Sequence, residues 1–149
     1  MKSLVVYDSK YGNTEKIAKA IGSTLSKSGN VNVVHVEKAG ITDIEKVEIL
    51  IVGSPTQAWS PTPATKSFLE SIHAPLHNMP VAAFDTRFKR TRLLTGSAAR
   101  KIAKALKKKG STLLAEPESF FVTGMEGPLL EGEIERAKSW AKELAKKPQ

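Results

Sequence analysis

Short runs of aliphatic and aromatic residues alternate along this chain with longer stretches in which apolar residues recur every three or four positions, and that alternation restricts the fold more than any other feature. Leu4–Tyr7, Val31–Val36, Val47–Val52, Val81–Phe84 and a broken run from Thr112 to Val122 are of strand length. Between and after them, Thr14–Leu25, Ala64–Ile72, Ser97–Lys108 and Leu130–Leu144 carry helical periodicity. This order implies parallel strands joined by right-handed crossovers, so the fold class is α/β. The first and third runs are almost entirely apolar, as central strands covered on both faces must be. The second, VNVVHV, is mixed, and the fifth is interrupted by Pro117; both suit sheet edges. The expected architecture is a three-layer α/β/α doubly wound sandwich around a five-stranded parallel sheet of order 2-1-3-4-5.

At 149 residues the chain suffices for one sizeable core, and a single domain over residues 1–149 is expected, with a loose tail over Lys146–Gln149. No apolar run reaches the roughly 18 residues of a membrane span, and the chain enters a strand with no signal-like segment; a cytoplasmic protein is expected. There is no cysteine, which excludes disulfides, thiolate nucleophiles and thiolate-held metal centres, so redox chemistry would need a bound cofactor. His35, His73 and His77 have no metal-ligand spacing, Pro75 falling between the last two, and no metal is assigned. The formal net charge is +8, and its distribution is uneven: no acidic residue lies between Arg87 and Lys109, where Arg and Lys are dense.

In an open parallel sheet of this order, ligands sit beyond the carboxyl ends of the strands where the winding reverses, between strands one and three. The loop after strand one is SKYGNT, Ser9–Thr14, and it leads directly into a helix. A helix N-terminus offers unpaired N–H groups and about half a positive charge, so it holds an anion such as a phosphate. Ser9, Asn13 and Thr14 add side-chain donors and Gly12 permits a tight turn. The competing role for Asn13 or Thr14 is simply to cap the helix. The loop after strand three is SPTQAWSPTP, Ser54–Pro63, stiffened by prolines and offering Thr56, Gln57 and the flat face of Trp59.

VVYDSKYGNTEKIAKAI, Val5–Ile21, resembles the flavodoxin signature, and GSPTQAWSPTP is similar to the second flavin loop of flavodoxin-like proteins. The resemblance extends over nearly the whole chain, in the manner of the short-chain type. It implies noncovalent FMN, with Ser9, Lys10, Tyr11, Gly12, Asn13 and Thr14 around the phosphate. In the second loop, which spans Ser54, Pro55, Thr56, Gln57, Ala58 and Trp59, it gives Pro55 and Thr56 the ribityl chain and Trp59 the isoalloxazine ring. By the same resemblance, Asp85, Thr86 and Arg87 after strand four would face the pyrimidine edge.

That third loop, DTRFKRTRLLTG, departs from the glycine-, tyrosine- and acid-rich loop of familiar electron-transfer flavodoxins, which are acidic overall where this chain is basic. Reduced flavin gains negative charge, and a cation about 5 Å away at an effective dielectric near 20 stabilises it by about 1 to 3 kcal/mol. Arg87 would accordingly raise the potential by roughly 40 to 130 mV for one electron. The resemblance implies electron transfer between redox partner proteins. The basic run within residues 87–109 reads either as the solvated face of a helix or as a docking surface for an acidic redox partner. An FMN-dependent oxidoreductase acting on a quinone or porphyrinogen is the alternative within the same fold. A cofactor-free module binding an acidic partner through the basic face is a third reading; nucleic acid is disfavoured, because aromatics do not interleave with the lysines.

Overall fold

A computed structural model describes residues 1–147, apart from the side chains of Arg92 and Leu93. The strands are β1 Lys2–Tyr7, β2 Asn30–His35, β3 Ile49–Pro55, β4 Pro80–Phe88, β5 Thr112–Leu113 and β6 Glu118–Val122. The helices are α1 Asn13–Leu25, α2 Ile41–Glu45, α3 Pro63–Glu70, α4 Arg92–Thr95, α5 Ala98–Lys108 and α6 Glu133–Lys146, with a 3-10 turn at Val36–Lys38. Every strand pair is parallel and the order is β2-β1-β3-β4-β5, as the alternation of elements predicts.

The fifth position of the sheet is occupied in two pieces. Thr112–Leu113 pairs with Pro80–Val81, and Glu118–Val122 pairs with Phe84–Phe88 farther along β4. Pro117 lies in the break, where a residue without an N–H would interrupt a continuous ladder. The expected start of the last helix at Leu130 is also corrected: Leu129 bridges Val122, and Leu130 N–H bonds Phe121 O. The helix begins only after Gly132, which takes φ +88°. Of the expected tail, Lys146 closes α6, while Pro148 and Gln149 lie outside the described residues.

Alternate residues of the central strands serve opposite layers. Leu4, Val6, Leu50, Val52, Val81 and Ala83 pack with Phe68 and Leu69 of α3 and Ile102 and Leu106 of α5. Val5, Ile51, Ala82 and Phe84 face the other way, onto Ile17 and Ile21 of α1 and Trp140 and Leu144 of α6. Phe84, Phe120 and Trp140 meet edge to face at 6.0 to 6.2 Å, contacts worth about 0.5 to 1.5 kcal/mol each beyond area burial. Gly53 allows Phe84 to lie directly on β3: a Cβ there would come within 2.0 Å of the ring.

Arg136 joins α6 to β6. Its guanidinium bonds Glu133 at 2.7 Å, pairs with Glu118 at 3.2 Å, donates to Ser119 O and lies over the Phe120 ring at 4.7 Å. Burial would push the Glu133 carboxyl up, but bonds from Arg136 and from Phe121 N–H together hold it below the usual carboxylate range. Both core layers and this clamp leave the carboxyl ends of β1, β3, β4 and β6 free to carry loops.

Candidate functional site

The loop after β1 is organised by short side chains. Ser9 Oγ accepts from Gly12 N–H at 3.1 Å and Glu15 N–H at 3.3 Å, and its own hydrogen has no acceptor among the described residues. Gly12 precedes α1 in the left-handed region at φ +92°, with no side-chain cap, so neither Asn13 nor Thr14 is the N-cap. The remaining N–H groups of the first turn therefore keep their donors, as helix starts do unless a side chain or ligand takes them. Thr14 is buried and shares a 2.8 Å hydrogen bond with Thr86, which ties this loop to the end of β4. The Asn13 side chain donates to Glu126 O at 3.1 Å.

Asp8 fastens the first loop to the second. Its carboxylate accepts from Ser9 N–H at 2.8 Å and from the Thr62 hydroxyl, and it pairs with His35 Nε2 at 3.2 Å. Beside it, burial and the carboxylate of Glu15 push the Tyr7 hydroxyl up, while the Glu15 carboxyl is drawn down chiefly by its bond with Lys19.

In the loop after β3, Gln57 and Ser60 exchange backbone hydrogen bonds of 2.7 and 2.9 Å around Ala58 and Trp59, which both adopt positive φ, +47° and +66°. Tight turns with two such residues ordinarily use Asn or Gly, so Ala and Trp here cost roughly 1 kcal/mol or more each. Trp59 is held outward, 54% exposed, rather than tucked into the core. Gly96 supports it from the third loop: at φ +71° it bridges Trp59, and a Cβ at that position would lie 2.4 Å from Trp59 Cβ.

The loop after β4 is built around two buried charges. Asp85, fully buried, accepts from the Ser97 hydroxyl at 2.6 Å and Ala99 N–H at 3.0 Å, and so anchors the start of α5. Arg87 donates to Ser119 Oγ at 2.9 Å, Arg90 O at 2.6 Å and Thr95 Oγ1 at 3.0 Å, with Asp85 Oδ1 3.9 Å away. Its planar fork gathers the chain from Phe88 to Thr95 onto β6.

These loops enclose an open cavity of about 510 Å³ at the carboxyl edge of the sheet, within the usual range for small-molecule sites. Lys10, Arg87 and Arg90 contribute cationic side chains to its lining, and among the described residues no carboxylate does. Tyr11, Trp59, Phe88, Leu94 and Met125, the large apolar side chains that are exposed among the described residues, all belong to this one rim.

A family model described as a flavodoxin domain matches residues 4–124, most of the chain. The chain belongs to the flavodoxin family. Among curated proteins none matches the sequence. Oxidised Flavodoxin 1 from Bacillus cereus superposes with a TM-score of 0.85 at 17% identity, over 100% of both chains. A flavodoxin from the domain Archaea gives 0.80 at 23% identity, over 97% of this chain and 96% of that one. Rubredoxin oxygen:oxidoreductase from Desulfovibrio gigas gives 0.78 at 22% identity, where 97% of this chain matches 35% of the larger one. At these identities the likeness is one of fold.

Of the residues expected at the site of this flavodoxin-family chain, Ser9, Lys10, Tyr11, Asn13, Thr14, Pro55, Thr56, Gln57, Ala58, Trp59, Thr86 and Arg87 line the cavity. Three stand behind it. Gly12 shapes the turn, Ser54 is buried with its oxygen on Thr62 N–H, and Asp85 holds α5 instead of facing a ligand edge. Phe88, Arg90, Leu94, Thr95, Val122 and Met125 also line the cavity and were not foreseen. The first four fall in the third loop, of which only the opening residues were assigned. Val122 and Met125 follow the last strand, so applying the carboxyl-edge rule to every strand would have found them.

Proposed function

We propose that this flavodoxin-family chain binds FMN in the carboxyl-edge cavity and passes electrons between partner proteins. The observation that carries the reading is the convergence of the loops after β1, β3, β4 and β6 on one cavity whose lining, among the described residues, is cationic and free of carboxylates. The donor set suits a phosphate monoester: first-turn N–H groups of α1, the unspent Ser9 hydroxyl hydrogen and the nearby Lys10 ammonium. Trp59, presented on its strained turn, gives a flat apolar face for a planar ring, and Thr56 and Thr86 line the space between. Bound FMN would supply one- and two-electron transfer, and the protein's part is to hold it and set its potential. The chain is proposed to act as one domain. At about −0.3 kcal/mol for each of roughly 31 non-hydrogen atoms, binding comes to about −9 kcal/mol, a sub-micromolar Kd.

The apolar rim of Phe88, Leu94 and Met125 favours a second reading, in which a small molecule such as a quinone reaches the flavin directly. Steady-state assays of the FMN-loaded protein with NADH or NADPH and a quinone separate the two. Dependence on a separate reductase is expected; sustained turnover by the protein alone would overturn the carrier reading in favour of the enzyme.

A further inference from the structure

Outside the cavity, a shallow groove of about 480 Å³ lies between α5 and the segment following β5. Arg100, Lys104, Lys107 and Lys108 form one bank, Leu113 and Pro117 stand opposite, and Ala103 completes the floor. These four cations are exposed and make no ion pair or side-chain hydrogen bond among the described residues. Elsewhere this chain spaces its charges to pair: Lys19 with Glu15, Lys138 with Glu135 and Lys146 with Glu143. Helix α5 contains no acidic residue, so Arg100 faces Lys104 and Lys104 faces Lys108 at one-turn spacing, an arrangement that destabilises a helix. Arg100 and Lys101 also sit in the first turn, where the helix dipole disfavours cations. Lys107 and Lys108 suit the last turn, but the first-turn and one-turn-spaced cations oppose the stability of the element that carries them.

The helix that carries the groove's cationic bank also reaches the loop after β3. Ala98 N–H bonds Thr56 Oγ1 and Lys101 Nζ bonds Ser60 Oγ, so the start of α5 is tied to the loop that presents Trp59. We infer that the groove along α5 is the docking site for an acidic segment of a partner protein, one that interleaves carboxylates with small apolar residues. The cationic bank takes the carboxylates, and Ala103, Leu113 and Pro117 take the apolar residues. A nucleic acid fits less well: no aromatic side chain lines the groove to stack a base, and Glu116 in the wall opposes an unbroken run of phosphates. Docking here sets a partner beside the Trp59 rim. That consequence for electron transfer rests on the function proposed above, whereas the docking itself does not.

The test uses the full chain and a fluorescein-labelled peptide of about ten residues, half of them glutamate or aspartate and the rest alanine and leucine, read by anisotropy in about 50 mM salt. A single-stranded oligonucleotide of equal charge serves as the competing probe. The K104E/K107E double variant turns the Arg100–Lys104 and Lys104–Lys108 repulsions into opposite-charge pairs, which offsets the acidic residue it places in the last turn, so α5 is expected to stay folded; K104Q/K107Q repeats the test without reversing charge. K27E/K142E makes the same net change at exposed positions in the turn after α1 and on α6, across the sheet. The expected result is a peptide Kd raised at least tenfold by K104E/K107E, several-fold by K104Q/K107Q and less than about twofold by K27E/K142E. Equal weakening by both charge reversals, no peptide binding at about 100 μM, or tighter binding of the oligonucleotide would overturn the proposal. FMN affinity, measured on the same samples, is expected to be unchanged by all three; failure of FMN to bind at all would sink the flavin reading and leave the peptide comparison intact.

Discussion

At the scale of single residues, the site depends on groups whose partners decide what they do. Arg87 is buried and its guanidinium is spent on Ser119, Arg90 O and Thr95, so its main task is to shape the third loop. Arg87→Lys keeps the charge but loses the fork, and should weaken FMN binding by about tenfold while raising amide exchange over residues 88–96. Arg87→Gln should additionally lower the flavin potential by some tens of mV, which a redox titration reads, because the cation is lost as well. An unmoved potential would mean that Asp85 and the loop carbonyls already cancel the charge at the ring. Gly96→Ala forces a Cβ against Trp59 in a left-handed backbone position. It should cost about 1 to 3 kcal/mol in urea unfolding and weaken FMN binding together with it. The residue types in the first two loops are legible from sequence, since a helix N-terminus after a strand has few uses. The direction of each side chain is not: Asn13 bonds Glu126 O, a partner far away in the chain that no local pattern specifies.

At the scale of elements, α1, α3, α5 and α6 follow from apolar periodicity, and strands β1 to β4 from their composition. Short elements did not. The five residues of α2 and four of α4 are too brief for periodicity to show, and β5 and β6 are one sheet position divided near a proline. The junction of β6 and α6 rests on Glu133, which is almost wholly buried beneath Arg136 and Phe121 N–H. Its carboxyl is held below the ordinary value in the folded chain, so it contributes stability that is complete above the unfolded pKa of about 4.3 and is lost as pH falls through the lower folded value. Glu133→Gln should therefore be less stable than the wild type by about 1 to 3 kcal/mol at pH 7, a figure moderated by the partial exposure of Arg136, and the gap should narrow as pH falls below about 4. Urea unfolding at the two pH values measures this; a gap independent of pH would show that packing, not the charge, is what Glu133 supplies.

At the scale of the whole molecule, the sheet order places the ends of β1, β3, β4 and β6 together, and every loop that lines the cavity follows one of those strands. Among the described residues no helix is long and apolar enough to cross a membrane. The basic surface begins at the cavity rim with Arg90 and continues along α5, so association with any acidic partner should slow markedly between about 50 and 300 mM salt. The central claim, that the loop Ser9–Thr14 holds the phosphate of FMN, is tested most directly by titrating FMN and riboflavin separately into flavin-free protein while following flavin emission. Quenched emission with a sub-micromolar Kd is expected for FMN, and binding at least tenfold weaker for riboflavin, which lacks the phosphate. Equal affinity for the two, or no quenching at micromolar FMN, would contradict it.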